Sequence, residues 1–203
     1  MKFNKKTIEK DEEYLRQVSK EVNLENNDYK EVVKMLHEYC ENSDNCMAMA
    51  SVQLGIPLRL IYVKKTNEKR MYEDYNESKV LINPVVLNRE GLVRYYEACV
   101  SCLNYMGLVE RPYKIEIEYY TIEREKVIET FENLAAVVLS HELDHLDGVL
   151  HIDKSIELYD MPKEERKEFR EKHKLEIIRK DGTYKLTTTN FKKINDIKKL
   201  KLK

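Results

Sequence analysis

His141-Glu142-Leu143-Asp144-His145 sets two imidazoles four residues apart, with a carboxylate directly after the first. On an α-helix such a pair projects from one face and can bind a single ion. Glu142 then stands where it can handle the proton of an attacking water. The preceding run, Phe131-Glu132-Asn133-Leu134-Ala135-Ala136-Val137-Val138-Leu139-Ser140, contains neither Gly nor Pro and reads as a helix. Leu134, Val138, His141 and His145 share one stripe of it, so the imidazoles continue an apolar face into the interior. A charge-rich helix can carry the same residues on a solvated face. The apolar run on one side and the stop at Gly148 on the other favour a buried site.

A catalytic site of this kind takes three protein ligands and keeps one position open. Downstream, His141-Glu142-x-x-His145-x-x-Gly148-x-x-His151 fits the long metzincin pattern, in which a third His returns to the metal. Upstream, Cys99 offers a thiolate and a Cys-His-His set. The local pattern by itself favours His151. Cys99-Val100-Ser101-Cys102 with the two histidines also imitates a closed Cys2His2 site. However, residues 103–140 separate the pairs, against about a dozen in a finger, and a closed site leaves no place for water.

Composition narrows the field. With 203 residues, a single domain over 1–203 is expected, large enough for an enclosed site. The formal charge is −1 with 36% charged residues, so the molecule as a whole is not built to attract DNA. The longest apolar run, Leu134 to Leu139, is far short of a membrane span. The segment from Met1 to Lys10 lacks the apolar core of a signal peptide. Four cysteines without a framework spacing suggest reduced thiols and a cytoplasmic location. That weighs against a metzincin, since those proteases are mostly secreted.

Along the chain, residues 5–22 carry Ile8, Leu15, Val18 and Val22 as a helix or a turn leading into one. Asp28 is expected to cap an amphipathic helix to about Asn42, with Val32, Val33, Met35, Leu36 and Tyr39 inside. Leu58 to Val63 reads as a strand and Lys64 to Ser78 as a charged surface excursion. Val80 to Asn83 and Val85 to Leu87 read as strand runs separated by Pro84. Lys114 to Thr121 alternates with Ile115 and Ile117 on one face, and Val127 to Thr130 is a short strand before the site helix. A charged helix is expected over 162–178, then a Lys-rich tail over 183–203. The order of elements suggests an α+β domain, with mixed or antiparallel sheets around a central HExxH helix.

Three segments resemble the peptide deformylase family, whose motifs are written GxGLAAPQ, EGCLS and HExDH in this order. Here they stand as Cys46-Met47-Ala48-Met49-Ala50-Ser51-Val52-Gln53, Glu97-Ala98-Cys99-Val100-Ser101 and His141-Glu142-Leu143-Asp144-His145. Tyr14-Leu15-Arg16 with Val18, Leu81-Ile82-Asn83-Pro84, Arg111 and the exit from His145 to Leu150 match as well. The resemblance runs from about residue 11 to 154.

It implies a deformylase-like fold and hydrolysis of N-formyl-methionyl nascent peptides to formate and a free N-terminus. Cys99, His141 and His145 are then the metal ligands, with Fe²⁺ as the physiological ion and Zn²⁺, Ni²⁺ or Co²⁺ able to replace it. One thiolate and two imidazoles suit all of these. Glu142 moves the proton, while Gln53 and the backbone N–H of Val100 hold the developing oxyanion. The first-motif backbone at Ala48 lies along the substrate, and Leu134, Val137 and Val138 are candidate walls for the methionine side chain, or plain core. On this reading His151 is a strand histidine with a hydrogen-bond partner, and Cys40 and Cys102 are packing residues. The Lys-rich tail is a solvated segment or, alternatively, a contact with ribosomal RNA.

The chain departs from the family where Cys46, Ala48 and Ala98 replace glycines and Val52 replaces Pro or Thr. Added Cβ atoms narrow a substrate cleft unless something absorbs them. The readings that follow are an active deformylase, one with altered acyl or peptide preference, a non-catalytic, metal-stabilised peptide- or ribosome-binding protein or, last in order, a metzincin-like metalloprotease.

Overall fold

The structure is a computed structural model and describes residues 5–43, 46–64, 78–166 and 176–178. Helices α1 (Ile8–Leu15) and α2 (Tyr29–Glu41) come first. They are followed by β1 (Ala48–Ala50), a 3-10 turn over Ser51–Leu54, β2 (Leu60–Val63), β3 (Lys79–Glu90), β4 (Leu92–Cys99) and β5 (Cys102–Arg111). Next are β6 (Lys114–Tyr120), β7 (Lys126–Glu132), α3 (Asn133–Leu146), α4 (His151–Lys154), β8 (Glu157–Asp160) and β9 (Glu176–Ile178). Five strands pair in the order β1-β2-β3-β6-β7 and four in the order β8-β5-β4-β9. All strand pairs are antiparallel; an isolated bridge between Lys20 and Leu58 is parallel.

Side-chain alternation sets which face of each sheet is inward. In β6, Ile115, Ile117 and Tyr119 are buried while Glu116 and Glu118 are not. The inner face packs on α3, whose Leu134, Ala135, Ala136, Val137, Leu139, Leu143 and Leu146 join one core with Ile61, Leu81 and Phe131. On its other side the sheet covers α2, where Tyr29, Val32, Val33, Leu36 and Cys40 are buried with Leu60 and Ile82, and Met35 and Tyr39 only partly. Deleting a fully buried leucine such as Leu36 in such a core typically costs about 2–5 kcal/mol. Helix α3 touches strands of both sheets, which puts its histidines against the end of β4.

Several expectations are corrected. The two runs around Pro84 are one strand. Asn83 takes a left-handed φ of 51° and opens the β3–β6 register there, which frees the ladder from a donor that proline lacks. Its side chain compensates by accepting from Val22 N–H at 2.7 Å and donating to Val22 O at 3.0 Å. Phe131 and Glu132 belong to β7, held opposite Ile115 and Lys114, so the site helix begins only at Asn133. Asp28 occupies the N-cap position of α2, but its backbone is helical and its side chain makes no cap hydrogen bond. Val18 is 68% exposed and does not extend the buried series. The expected helix over 162–178 meets a 3-10 turn at Lys163–Glu165, and Glu176–Ile178 is a strand on the β4 edge. The excursion at 65–77, residues 167–175 and the Lys-rich tail lie outside the described residues.

Candidate metal centre

Helix α3 carries His141 and His145 one turn apart, and β4 ends at Cys99. The sheet-to-helix contact brings them together. Cys99 Sγ lies 3.2 Å from His145 Nε2, which lies 3.2 Å from His141 Nε2. The ligand atoms of all three are within 4.8 Å of one another. Cys99 and His145 are buried, and His141 keeps a small opening to solvent.

His141 is oriented from behind. Its Nδ1 donates to Glu97 Oε2 at 2.8 Å, which fixes the tautomer and leaves Nε2 facing the other two donors. Glu97 sits two residues before Cys99 and is fully enclosed. Both its oxygens accept from Arg111, at 2.6 and 2.8 Å, and Arg111 also reaches Asp144 on α3. Lys154 closes the group on Asp144 at 2.6 Å. Burial pushes the Glu97 carboxyl up, but the Arg111 guanidinium and the His141 bond outweigh it and hold the carboxyl well below the usual range. Glu97 is therefore an anion at neutral pH, suited to a metal-ligating imidazole.

Cys99 is prepared as a thiolate. Burial alone would raise its pKa; the hydrogen bond from Cys102 and the charge and bonds of His145 and His141 bring it well below the ordinary thiol value. Cys102 moves the opposite way, pushed up by that same bond and by burial, so it stays a thiol and donates. Ser101 N–H lies 3.3 Å from the same sulfur. A thiolate and two imidazole Nε2 atoms converge, and the Glu97 bond turns the Nε2 side of His141 towards the other two donors. The donor set fits one divalent ion of borderline softness.

Beside this cluster, Glu142 is 5% exposed and accepts from Ala50 N–H at 2.8 Å. Burial raises its pKa, with the neighbouring imidazoles pulling against that. A carboxylate raised in this way can take a proton and give it back. Ala50 N–H also reaches Gln53 Oε1 at 3.0 Å, and Gln53 Nε2 lies 3.2 Å from Ser101 Oγ and 3.4 Å from Cys99 Sγ. The first and second motifs thus meet the third at a few atoms. Glu97, Arg111, Asp144 and Ser101 form the supporting layer. In the sequence Glu97, Ser101 and Asp144 stand only as letters of the motifs, and Arg111 only as a family match. The signal available was alternation, since Glu97 shares a strand face with Cys99, and helix spacing, since Asp144 lies three residues after His141.

Of the other residues named from the sequence, Val100 sits half-buried in the turn between β4 and β5. Ala48, Leu134 and Val137 lie in the α3 core, and Val138 is partly open next to His141. His151 is not a strand residue and its ring makes no hydrogen bond: it begins α4, is 1% exposed, and has both ring nitrogens unpartnered among the described residues. Its ring lies 5.7 Å from that of His141, outside the convergent donor set. Two of the glycine replacements, Cys46 and Ala48, are taken up by packing. Cys46 Sγ turns to Cys40 Sγ on α2 at 3.1 Å, and the Ala48 methyl joins the α3 core.

The model of the polypeptide deformylase family matches residues 5–161, and the chain belongs to that family. Among curated relatives, the peptide deformylase of Helicobacter pylori strain P12 is 34% identical over 164 residues, 80% of this chain and 92% of that protein. That of Caulobacter vibrioides is 40% identical over 108 residues; the match spans 53% of this chain and 60% of the relative's length. Among solved structures, a probable peptide deformylase from Synechococcus phage S-SSM7 superposes with a TM-score of 0.66 at 30% identity, over 75% of this chain and 99% of that one. The peptide deformylase from Thermotoga maritima gives 0.67 at 26% identity, over 76% and 98%. No helix of the described residues is long and apolar enough to cross a membrane.

Proposed function

We propose that this chain is a peptide deformylase, a metal-dependent hydrolase that removes the N-formyl group from N-terminal methionyl peptides. The observation that carries this is the convergence of Cys99, His141 and His145 with Glu142 beside them, in a member of the deformylase family. Those three ligands would hold the ion, Fe²⁺ in the cell, which supplies Lewis-acid activation of water and of the formyl oxygen.

The chain's own groups do the rest. Glu142 accepts the proton of the attacking water and delivers it to the departing amine, so that the C–N bond breaks to formate and a free N-terminus. Gln53 Nε2 and the N–H of Val100 stabilise the oxyanion that develops on the formyl carbon, each donor worth about 3 kcal/mol of barrier in comparable sites. Glu97 holds His141 in its ligating tautomer. Leu134, Val137 and Val138 form the apolar wall for the methionine side chain, and the Ala48 backbone runs beside the peptide. Helix α3 is the centre of a single domain, with the Lys-rich segment 183–203 offering a phosphate-binding run near the ribosome, where nascent chains emerge in the cytoplasm. An Acinetobacter baumannii relative of 25% identity has been solved bound to Met-Ala-Ser, which supports a methionyl tripeptide as the first substrate to try.

Formate release from formyl-Met-Ala-Ser by metal-loaded protein is expected, with Glu142→Ala lowering kcat at least a hundredfold while metal stays bound. Turnover equal to that of Glu142→Ala, with metal present, would instead mark a metal-stabilised peptide binder. Acetyl-Met-Ala-Ser in parallel reports on the acyl pocket.

A further inference from the structure

The Gln53 carboxamide is held at both ends. Its Oε1 accepts from Ala50 N–H at 3.0 Å, and its Nε2 donates to Ser101 Oγ at 3.2 Å and faces Cys99 Sγ at 3.4 Å. A flipped amide would set an NH2 group against the Ala50 N–H and an oxygen against the thiolate. Both exchanges are unfavourable, and Gln53 is 1% exposed, so water cannot relieve them. Ser101 is itself completely buried. Its carbonyl accepts from Ile8 N–H at 2.9 Å, while the Gln53 carbonyl accepts from Lys6 N–H at 2.8 Å. One short stretch of the N-terminal segment therefore ties down the backbone of both residues, which are distant from it and from each other in sequence.

We propose that Ser101 is a positioning residue for Gln53: its hydroxyl, anchored through the Lys6–Ile8 backbone, keeps the carboxamide with its N–H side turned to the metal centre. This rests on the reading of Gln53 as the oxyanion donor. The Ser101 N–H lies 3.3 Å from Cys99 Sγ, but the effect of its hydroxyl passes through the amide. Ser101→Ala removes one acceptor and leaves the Ile8 bond intact, because that bond uses the backbone. The loosened amide then samples orientations in which its donor is misplaced, and the loss falls on the transition state rather than on substrate binding.

A double-mutant cycle in zinc-loaded protein tests this with formyl-Met-Ala-Ser. Ser101→Ala is expected to lower kcat about tenfold with KM within about twofold, the scale of one displaced hydrogen-bond donor. In a Gln53→Ala background the same change is expected to cost less than about twofold. Equal losses in both backgrounds, or no loss beside an intact Gln53, overturn the proposal. A second readout does not need turnover: the side-chain amide resonances of Gln53, assigned by their disappearance in Gln53→Ala, exchange slowly with solvent in the unsubstituted protein and faster in Ser101→Ala. Unchanged exchange overturns the proposal. Absence of formate release by the unsubstituted protein would remove the deformylase reading, and the exchange comparison would still decide the role of Ser101.

Discussion

At His151 a polar ring is enclosed with no partner for either nitrogen among the described residues. Burial, then the nearby charge of His141, lowers its pKa to about 4. In the unfolded chain a histidine titrates near 6.5, so between those values the unfolded state binds the extra proton. Stability therefore falls as pH drops from about 6.5 to about 4, by up to about 3 kcal/mol. His151→Phe removes both the unpartnered nitrogens and this linkage. It is expected to raise the urea midpoint at pH 5 and to flatten the acid side of the stability profile, with metal stoichiometry unchanged. Loss of bound metal in His151→Phe would make this histidine a ligand, against the geometry. At this scale the candidate pair His141 and His145 on α3 was legible, because an i, i+4 pair is a local fact. The surroundings of His151 were not: its spacing after Gly148 imitates a third ligand, and only the path of the chain after α3 decides where the ring goes.

Elements are joined here at a few tight places, and at Gly148 the close neighbour is backbone. It takes φ 71° after α3, and a Cβ there would lie 2.2 Å from the carbonyl oxygen of Arg16, at the end of α1. Close by, Ser19 N–H donates to Leu146 O at 2.7 Å. Gly148→Ala must move backbone as well as adopt a left-handed alanine, and it is expected to cost about 2–4 kcal/mol in urea denaturation. Gly55→Ala shares the positive φ of 83°, but its Cβ would meet the flexible Lys6 side chain, so a loss nearer 1 kcal/mol is expected. Equal costs would show that the backbone angle alone matters at Gly148. Alternating strands such as β6 and the amphipathic α2 were readable, since their periods are written in the residues. The β4–β5 hairpin was not. Its turn is Val100-Ser101, which lacks the glycine, asparagine or aspartate that two-residue hairpins favour, and pairing across the sheet overrides that weak local signal. Phe131 and Glu132 joined β7 instead of α3 for the same reason.

The whole molecule is tied together at the ligand cluster, where the end of one sheet's β4 meets a helix packed on the other. Binding that requires this geometry stabilises the folded state over the unfolded one. With free metal at about a thousand times its Kd the gain is about 4 kcal/mol, or roughly 10 °C in Tm for a chain of this size. Removing the ion with a chelator is expected to lower Tm by about that amount, and Cys99→Ala is expected to show the low value with or without added metal. A Tm insensitive to chelation in the unsubstituted protein would show that the cluster does not couple the two sheets through an ion.

From residue order alone came the helix that carries His141 and His145, their grouping with Cys99 once the three motifs were seen in series, Glu142 and Gln53 as candidates beside them, and the α+β class. Each rests on short-range spacing or on the succession of segments. The tertiary structure decided what lies behind those groups: Arg111 and Asp144 around Glu97, Ser101 and the N-terminal segment around Gln53, and Cys40 and the α3 core taking up the side chains that replace glycine. These are contacts between residues far apart in the chain. No local period encodes them, and they exist only once hydrophobic burial has brought the sheets, α2 and α3 into register.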